Sequence, residues 1–508
     1  MRRTLRLSLA VATLALLGAV FASTAGASKY IVLYEQEATP LDAASSMLIA
    51  GGTLVASYPQ IGVVIAESDS PTFREQLLRD QRVEGATATS GFGVQIDVQQ
   101  HGDDDYAPEL PNAPAADADT FSSLQWDMRQ IEAPAAHAIT GGSPTIVVGD
   151  IDTGLDKDHP DLIANIDFAK SASCETGAPV QNPVAWDDHA GHGTHTAGTI
   201  AAASNGIGVV GVAPNVKVAG IKSSNNAGFF FPEMVVCSFM WASTQHLDVT
   251  NNSYFADPYL FNCHNDPDQQ AIWKAEYRAI RYAMSQGVTV VASAGNENVD
   301  LAHPPADADS TQPDQGIGNN CLVIPAEVPG VITVTAVGDR EQKSYYSSYG
   351  IGKVEVTAPG GDGVFQLTPE APNGQVLSTW PAELGGSRRM IDPGGPNYPS
   401  SVYRYLQGTS MSSPHAAGVA ALIVSRFGDA RNPQNGHMRP GAVEQYLNST
   451  ADPIPCPPNP FDPAIGSTRP ELAGRFVASC QGGPTYNSFY GHGEVNALRA
   501  VLHDTQDR

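Results

Sequence analysis

The chain has 508 residues, with 53 Asp and Glu against 28 Lys and Arg and a formal net charge of -25. Its length goes beyond one small domain and leaves room for a large core with accessory segments. The charge argues against nucleic acid or an anionic membrane as partner, because a phosphate backbone is held by clustered Lys and Arg that are scarce here, and it describes a solvated, self-repelling surface.

In chain order, Arg2, Arg3 and Arg6 precede an apolar run over residues 7–21, and Ala25-Gly26-Ala27 offers the small residues that signal peptidase needs. Residues 1–27 are therefore read as an export signal cleaved after Ala27. The run is about 15 residues long, short of the roughly 20 needed to cross a bilayer. No later segment is long and apolar enough either, so the mature protein is expected to be soluble, secreted and extracellular, with no membrane partner.

Residues 28–90 carry strand patterns at 30–34, 53–57 and 63–66 and helical patterns at 40–50 and 72–80. The order β-α-β-β-α is nearly that of a small ferredoxin-like α+β unit. Residues 91–120 read as a linker, acidic and rich in Pro and Ala from 101 onward, a composition that buries too little apolar surface to order itself and that offers a processing site.

Residues 121–508 form the main domain. Short β-branched runs at 145–151, 216–221, 288–292, 331–337 and 354–358 alternate there with helical stretches at 192–203, 232–244, 269–285 and 413–427. Several of the runs are almost wholly apolar, which predicts a mainly parallel sheet covered on both faces by helices, a three-layer αβα domain. Segments 252–268, 299–320 and 360–400, rich in Pro, Gly, Asp and Asn, read as surface loops. The six cysteines all lie after residue 170, and an even set in an exported chain favours disulfides over metal thiolates. Cys456 with Cys480 is the preferred pair because both flank a Pro-rich excursion, although six cysteines allow 15 pairings.

Three local patterns carry chemistry, and each alone has an ordinary explanation. The apolar run ending in Asp150-Ile151-Asp152-Thr153-Gly154 places an acid where parallel sheets set active-site groups, though a strand-ending Asp also caps turns. Gly191-His192-Gly193-Thr194-His195 opens a helix with two histidines among small residues, and a His at a helix start is poised to be neutral, as a general base must be. The spacing of the two histidines, without an intervening Glu, does not fit a zinc peptidase. Gly408-Thr409-Ser410 leads into a helix whose first turn is expected to hold Pro414, so Ser410 sits near an end that favours developing negative charge, and one of the neighbouring serines is expected to cap the helix. Together the patterns supply a base-orienter, a base and a nucleophile in the order Asp, His, Ser.

With these motifs the chain resembles the subtilase family of serine peptidases, from Gln130-Ile131-Glu132-Ala133-Pro134 through His159-Pro160-Asp161-Leu162 to Gly491-His492-Gly493-Glu494. The resemblance implies a subtilisin-like fold and a serine endopeptidase with Asp152, His192 and Ser410 as its triad. It also identifies Ser293-Ala294-Gly295-Asn296 as the segment whose Asn296 amide completes the oxyanion hole. Residues 28–90 resemble an inhibitory pro-segment. The partners implied are protein or peptide substrates and the chain's own pro-segment as intramolecular inhibitor, with no nucleic acid and a monomeric state. No cofactor is implied for the chemistry. A structural calcium ion is implied at Asp161 and the loop that contains Asn205, whose carboxylate, amide and carbonyl oxygens suit a hard cation. Two departures stand out. The substrate-binding segment 251–256 lacks the family's usual glycines, and Asp150 lies close enough to Asp152 on a strand for the two carboxylates to disturb each other's ionisation. The readings that compete with an active endopeptidase are an inactive subtilase fold used for binding, which needs a missing triad member, and zinc-dependent hydrolysis.

Overall fold

Alternating residues of the central strands feed two separate cores, so the sheet must be covered on both sides. The computed structural model describes residues 27–35, 39–89, 118–304, 317–385, 390–391, 401–429 and 437–505. The export signal up to residue 26, residue 90 and most of the linker, residues 91–117, lie outside the described residues.

The first unit runs β1 (Ser28–Tyr34), α1 (Ala43–Ile49), β2 (Thr53–Tyr58), β3 (Val63–Ser68), α2 (Phe73–Leu77) and β4 (Val83–Ala88), and its antiparallel sheet has the order β2-β3-β1-β4. The last strand completes the ferredoxin-like pattern that the sequence left one strand short. Val83-Glu84-Gly85 shows no alternation to reveal it, yet β4 pairs with β1 along most of its length.

In the main domain the first strands are β5 (Val147–Asp152), β6 (Ala172–Ser173), β7 (Lys217–Lys222), β8 (Val249–Asn252) and β9 (Asn262–Cys263). They are followed by β10 (Thr289–Ser293), β11 (Cys321–Leu322), β12 (Ile332–Val337) and β13 (Val356–Pro359), then by β14 (Val376–Trp380), β15 (Met390–Ile391) and β16 (Val402–Leu406). The helices are α3 (Trp126–Gln130), α4 (Ala133–His137), α5 (His192–Ala201), α6 (Pro232–Thr244), α7 (Pro267–Ser285), α8 (Thr409–Phe427), α9 (Pro440–Thr450) and α10 (Ala497–Leu502).

Seven strands pair in parallel in the order β13-β12-β10-β8-β5-β7-β6. Val148, Val218, Val249 and Val291 point to one face and pack with Ala197, Ile200 and Ala416 of α5 and α8. Val147, Ile151, Ala219 and Val290 point to the other and pack with α6 and α7. This is the expected three-layer arrangement. The chain leaves β5 for β7 on one side and reaches β8 on the other, so the strand order switches beside β5, and in open α/β sheets the crevice beyond the strand ends at such a point is where ligands bind.

The first unit does not stand apart. Ile31, Leu33, Ile61, Val63 and Ile65 join the core formed by α6 and α7. Arg278 of α7 donates to the Tyr34 carbonyl at 3.0 Å and pairs with Glu84 at 2.8 Å, while Tyr58 Oη donates to the Gly177 carbonyl at 2.7 Å. Lys274 also pairs with Glu84, and Arg74 with Asp268.

Disulfides join Cys174 to Cys237, Cys263 to Cys321 and Cys456 to Cys480, the last as expected from its flanking position. Three expectations need correction. The insert at 252–268 is not a surface loop: Tyr254, Ala256, Leu260 and Phe261 are buried in the core with α6 and α7, and β9 lies within it. The insert at 360–400 is not wholly loop, since β14 lies within it and pairs antiparallel with β16 directly before the Ser410 helix. The helix at 413–427 begins four residues earlier, at Thr409, with Gly408 as its cap and no side-chain cap bond, so no serine caps it and Pro414 lies inside the helix. Proline lacks the N–H that would bond the Ser410 carbonyl. Ser253 Oγ donates to that carbonyl instead, at 2.9 Å.

Candidate active site

β5, β8 and β10 deliver Asp152, the segment after Asn252 and the segment after Ser293 to the same edge of the sheet, because they are neighbouring parallel strands that end together. Asp152 and His192 are both buried, and His192 Nδ1 donates to Asp152 Oδ1 at 2.7 Å. The Thr153 N–H donates to the same oxygen at 2.7 Å. That contact requires α5 to start hard against the strand end. A Cβ at Gly193 would sit 2.1 Å from the Gly154 carbonyl, which explains the glycine beside the histidine.

The start of α5 is held by Asp188, a residue the sequence motifs did not single out. Its Oδ1 accepts from Ala190 N, Gly191 N and Thr153 Oγ1, each at 2.9 Å, and its Oδ2 accepts from Thr194 N and Thr194 Oγ1. The only local signal was an acid shortly before a helix start. Burial alone would lower the pKa of His192, but the charge and hydrogen bond of Asp152, with a smaller contribution from Asp188, raise it above 6.5. His195 has the opposite fate. It is fully buried, its Nε2 faces the Arg404 carbonyl at 3.0 Å, and burial pushes its pKa down to about 3, so it serves the packing of α5 against β16.

Ser410 occupies the first turn of α8, where the helix leaves N–H groups without intrahelical partners. The Asn296 carboxamide is fixed beside it: Thr409 N and Thr409 Oγ1 both donate to Asn296 Oδ1 at 2.9 Å, and Gly295 N donates to Thr409 Oγ1 at 3.2 Å. With its oxygen so engaged, Asn296 has its Nδ2 donor left to offer. Ser410 Oγ donates to the Ser253 carbonyl at 3.1 Å and forms no hydrogen bond to His192 among the described residues. The structure thus joins Asp152 to His192 and Asn296 to the Ser410 helix. The hydroxyl is turned toward the segment after β8, and catalytic contacts commonly tighten only when substrate is bound.

On the far side of α5, Asp161 Oδ2 accepts from Val209 N at 3.0 Å and Tyr403 Oη at 3.1 Å, while its Oδ1 is buried without a donor among the described residues. Burial, helped by nearby Asp119, pushes the Asp161 pKa up to about 8. Only glycine fits at position 208, where φ is +55° and a Cβ would meet Tyr403 Oη at 1.9 Å and Asp161 Oδ2 at 2.3 Å. Asn205 turns its Oδ1 to Ile207 N at 3.0 Å, within the same loop. Asp119, placed by the sequence in the linker, accepts from Asn205 N and Gly206 N at 2.9 and 3.0 Å and ties the entry of the main domain to that loop. Among the described residues no three His, Cys, Asp or Glu side chains gather as a metal site.

Residues 143–493 match the model of the subtilase family, Peptidase S8. The chain belongs to the subtilase family. It is 33% identical over 284 residues to Subtilisin DY of Bacillus licheniformis, covering 56% of this chain and 77% of that one. It is 31% identical over 329 residues to a subtilisin of Bacillus pumilus, covering 65% of this chain and 92% of that one. The solved structure of the epidermin leader peptide processing serine protease from Staphylococcus aureus covers 95% of this chain and all of its own, at a TM-score of 0.66 and 21% identity, a likeness of fold. Like the subtilases it matches, the protein is a serine endopeptidase, and the chemistry needs no cofactor. No helix among the described residues is long and apolar enough to cross a membrane.

Proposed function

We propose that the protein is a secreted subtilase, made as a self-processing precursor, that hydrolyses peptide bonds through Ser410, His192 and Asp152 by way of an acyl-enzyme. The observation that carries this reading is the buried His192 Nδ1 to Asp152 Oδ1 hydrogen bond of 2.7 Å; the serine in the first turn of α8 and the Asn296 amide orientated by Thr409 support it.

With Nδ1 donating to Asp152, the Nε2 atom of His192 is free of its proton and can accept one from Ser410 as the hydroxyl attacks the substrate carbonyl. The C=O π bond becomes an oxyanion, received by Asn296 Nδ2 and the Ser410 N–H. The imidazolium then passes the proton to the leaving amine as the C–N bond breaks. Water repeats the sequence on the ester, returning acid product and free hydroxyl. Substrates are proteins or peptides, and residues 28–90 act as the intramolecular inhibitor until the chain is cut within 91–120; the cover that the first unit lays over α6 and α7 supports this role. A fluorophosphonate probe should label Ser410, and labelling that survives a metal chelator separates this chemistry from zinc-dependent hydrolysis. An unlabelled Ser410 would overturn the reading.

Replacing Asn296 by Ala removes the amide donor while leaving the triad untouched. Turnover is expected to fall on the order of 10²–10³ with KM little changed, a size taken over from subtilisin. Steady-state kinetics on a chromogenic peptide measure it, and a change in KM alone would remove Asn296 from the oxyanion hole.

The Asp161 region fits a structural calcium ion. The orphaned Asp161 Oδ1, the Asp119 carboxylate and the Asn205 loop offer oxygen ligands of the kind that ion takes. Calcium held there would lock the entry of the main domain to the loop after α5. Chelation is expected to lower the thermal midpoint by roughly 3 °C, the shift that follows in a domain of this size from losing a ligand held at about a hundred times its Kd. Asp161→Asn should abolish the response; a midpoint indifferent to chelator in the parent protein would refute the site.

A further inference from the structure

Asp150 is wholly buried two residues before Asp152 on β5 and faces the same side, toward α5 and α8. The hydrolytic steps above make no use of it. A buried carboxyl is costly unless its partners are well placed, and here they are. Thr196 Oγ1, one turn along α5 from His192, lies 2.7 Å from Asp150 Oδ2. Asn251 Nδ2 on β8 donates to Asp150 Oδ1 at 2.9 Å, and Asn251 Oδ1 accepts from Ser413 Oγ on α8 at 2.7 Å. The same Asn251 amide reaches Ser253 Oγ at 3.2 Å, the hydroxyl that caps the Ser410 carbonyl left open by Pro414. A single carboxyl therefore connects the helix bearing the base to the helix bearing the nucleophile, through one hydroxyl on one side and one amide on the other.

We propose that Asp150 is a positioning residue for peptide hydrolysis, bracing α5 against α8 so that the imidazole of His192 and the hydroxyl of Ser410 keep their separation. The inference rests on the triad reading above. Thr196 Oγ1, the donor to Asp150 Oδ2, also lies 3.0 Å from the Gly193 carbonyl of its own helix. Burial and the neighbouring charge of Asp152, with a smaller contribution from Asp188, act in the same direction by raising the Asp150 pKa, while the Asn251 and Thr196 hydrogen bonds oppose them.

The test compares Asp150→Val, Asp150→Asn and Thr196→Val in the mature enzyme on a chromogenic peptide. D150V is expected to lose roughly 10–100-fold in kcat with KM within about twofold, since a small misplacement of reacting groups costs up to about 10². D150N, whose amide accepts from Asn251 and donates to Thr196, should restore turnover to within about threefold of the parent and leave the acid limb of the kcat/KM profile where it was. T196V, which leaves Asp150 packed, should lose roughly 3–10-fold, and D150V with T196V together should lose no more than D150V alone, as coupled groups do. Parent-like kcat in D150V, or in T196V should D150V fail to fold, overturns the proposal. So does a D150N enzyme as slow as D150V, or one whose acid limb moves. Fluorophosphonate labelling of the parent at Ser410 keeps the two readings apart: an unlabelled parent removes the triad, whereas a labelled parent with an indifferent D150V removes only the brace.

Discussion

Ser410→Ala is expected to lower kcat on the order of 10⁶, a magnitude carried over from subtilisin, and to stop maturation at the cut after Ala27. The substitution removes one oxygen and one neutral hydrogen bond, that to the Ser253 carbonyl, so the fold loses no more than about 0.5–1.5 kcal/mol. The helix start, the Asn296 amide and the Asp152–His192 pair all remain. What disappears is the atom that becomes the acyl ester, for which no neighbouring hydroxyl substitutes: Ser412 Oγ turns to the Gly408 carbonyl and Ser413 Oγ is committed to Asn251. Because the same atom is proposed to cut the precursor, the exported variant should keep residues 28–120 joined to the main domain and remain covered over α6 and α7. Mass spectrometry of the exported chain and progress curves on a peptide measure the two consequences separately. Normal maturation of the variant in a protease-free host would show that another enzyme does the cutting.

Five of the seven strands of the parallel sheet were legible because a strand buried on both faces must be apolar throughout, as in Val288 to Ala292, whereas the two-residue β6 and the polar β8 were not; the helix Pro232–Thr244 was legible from its proline start and apolar length. β14 was not, because Val376–Trp380 is a short strand inside a Pro- and Gly-rich insert whose partner lies beyond it, at Val402–Leu406. The start of α8 was misplaced for a local reason: Pro414 reads as a first-turn residue, and only the Ser253 hydroxyl, supplied from another strand, makes a proline tolerable farther in. The same division holds at the site. Asp152, His192, Ser410 and Asn296 stand in specific runs of residues. Asp188, Asp119, Thr196 and Ser253 act through hydrogen bonds to backbone groups or distant side chains and carry no run of their own.

Asp152→Asn is expected to cost about 10⁴ in kcat with the fold retained, the loss found when a triad acid becomes an amide. The carboxylate can only accept, so it fixes the His192 proton on Nδ1 and leaves Nε2 as the base. An amide at 152 can turn its NH₂ to Nδ1, which places the proton on Nε2 and removes the base. The pH profile supplies a second readout. In the parent, burial would lower the His192 pKa, but the charge and hydrogen bond of Asp152, with a smaller contribution from Asp188, together hold it above 6.5, so activity is lost as pH falls through that raised value and protonates the base. Without the charge, burial dominates and the acid limb moves to lower pH. Two carboxyls two residues apart on one strand therefore answer the same change differently: Asp152→Asn shifts the limb and collapses kcat, while Asp150→Asn leaves both close to the parent. A D152N enzyme whose limb stays in place would mean that the acid at 152 does not set the charge state of the imidazole.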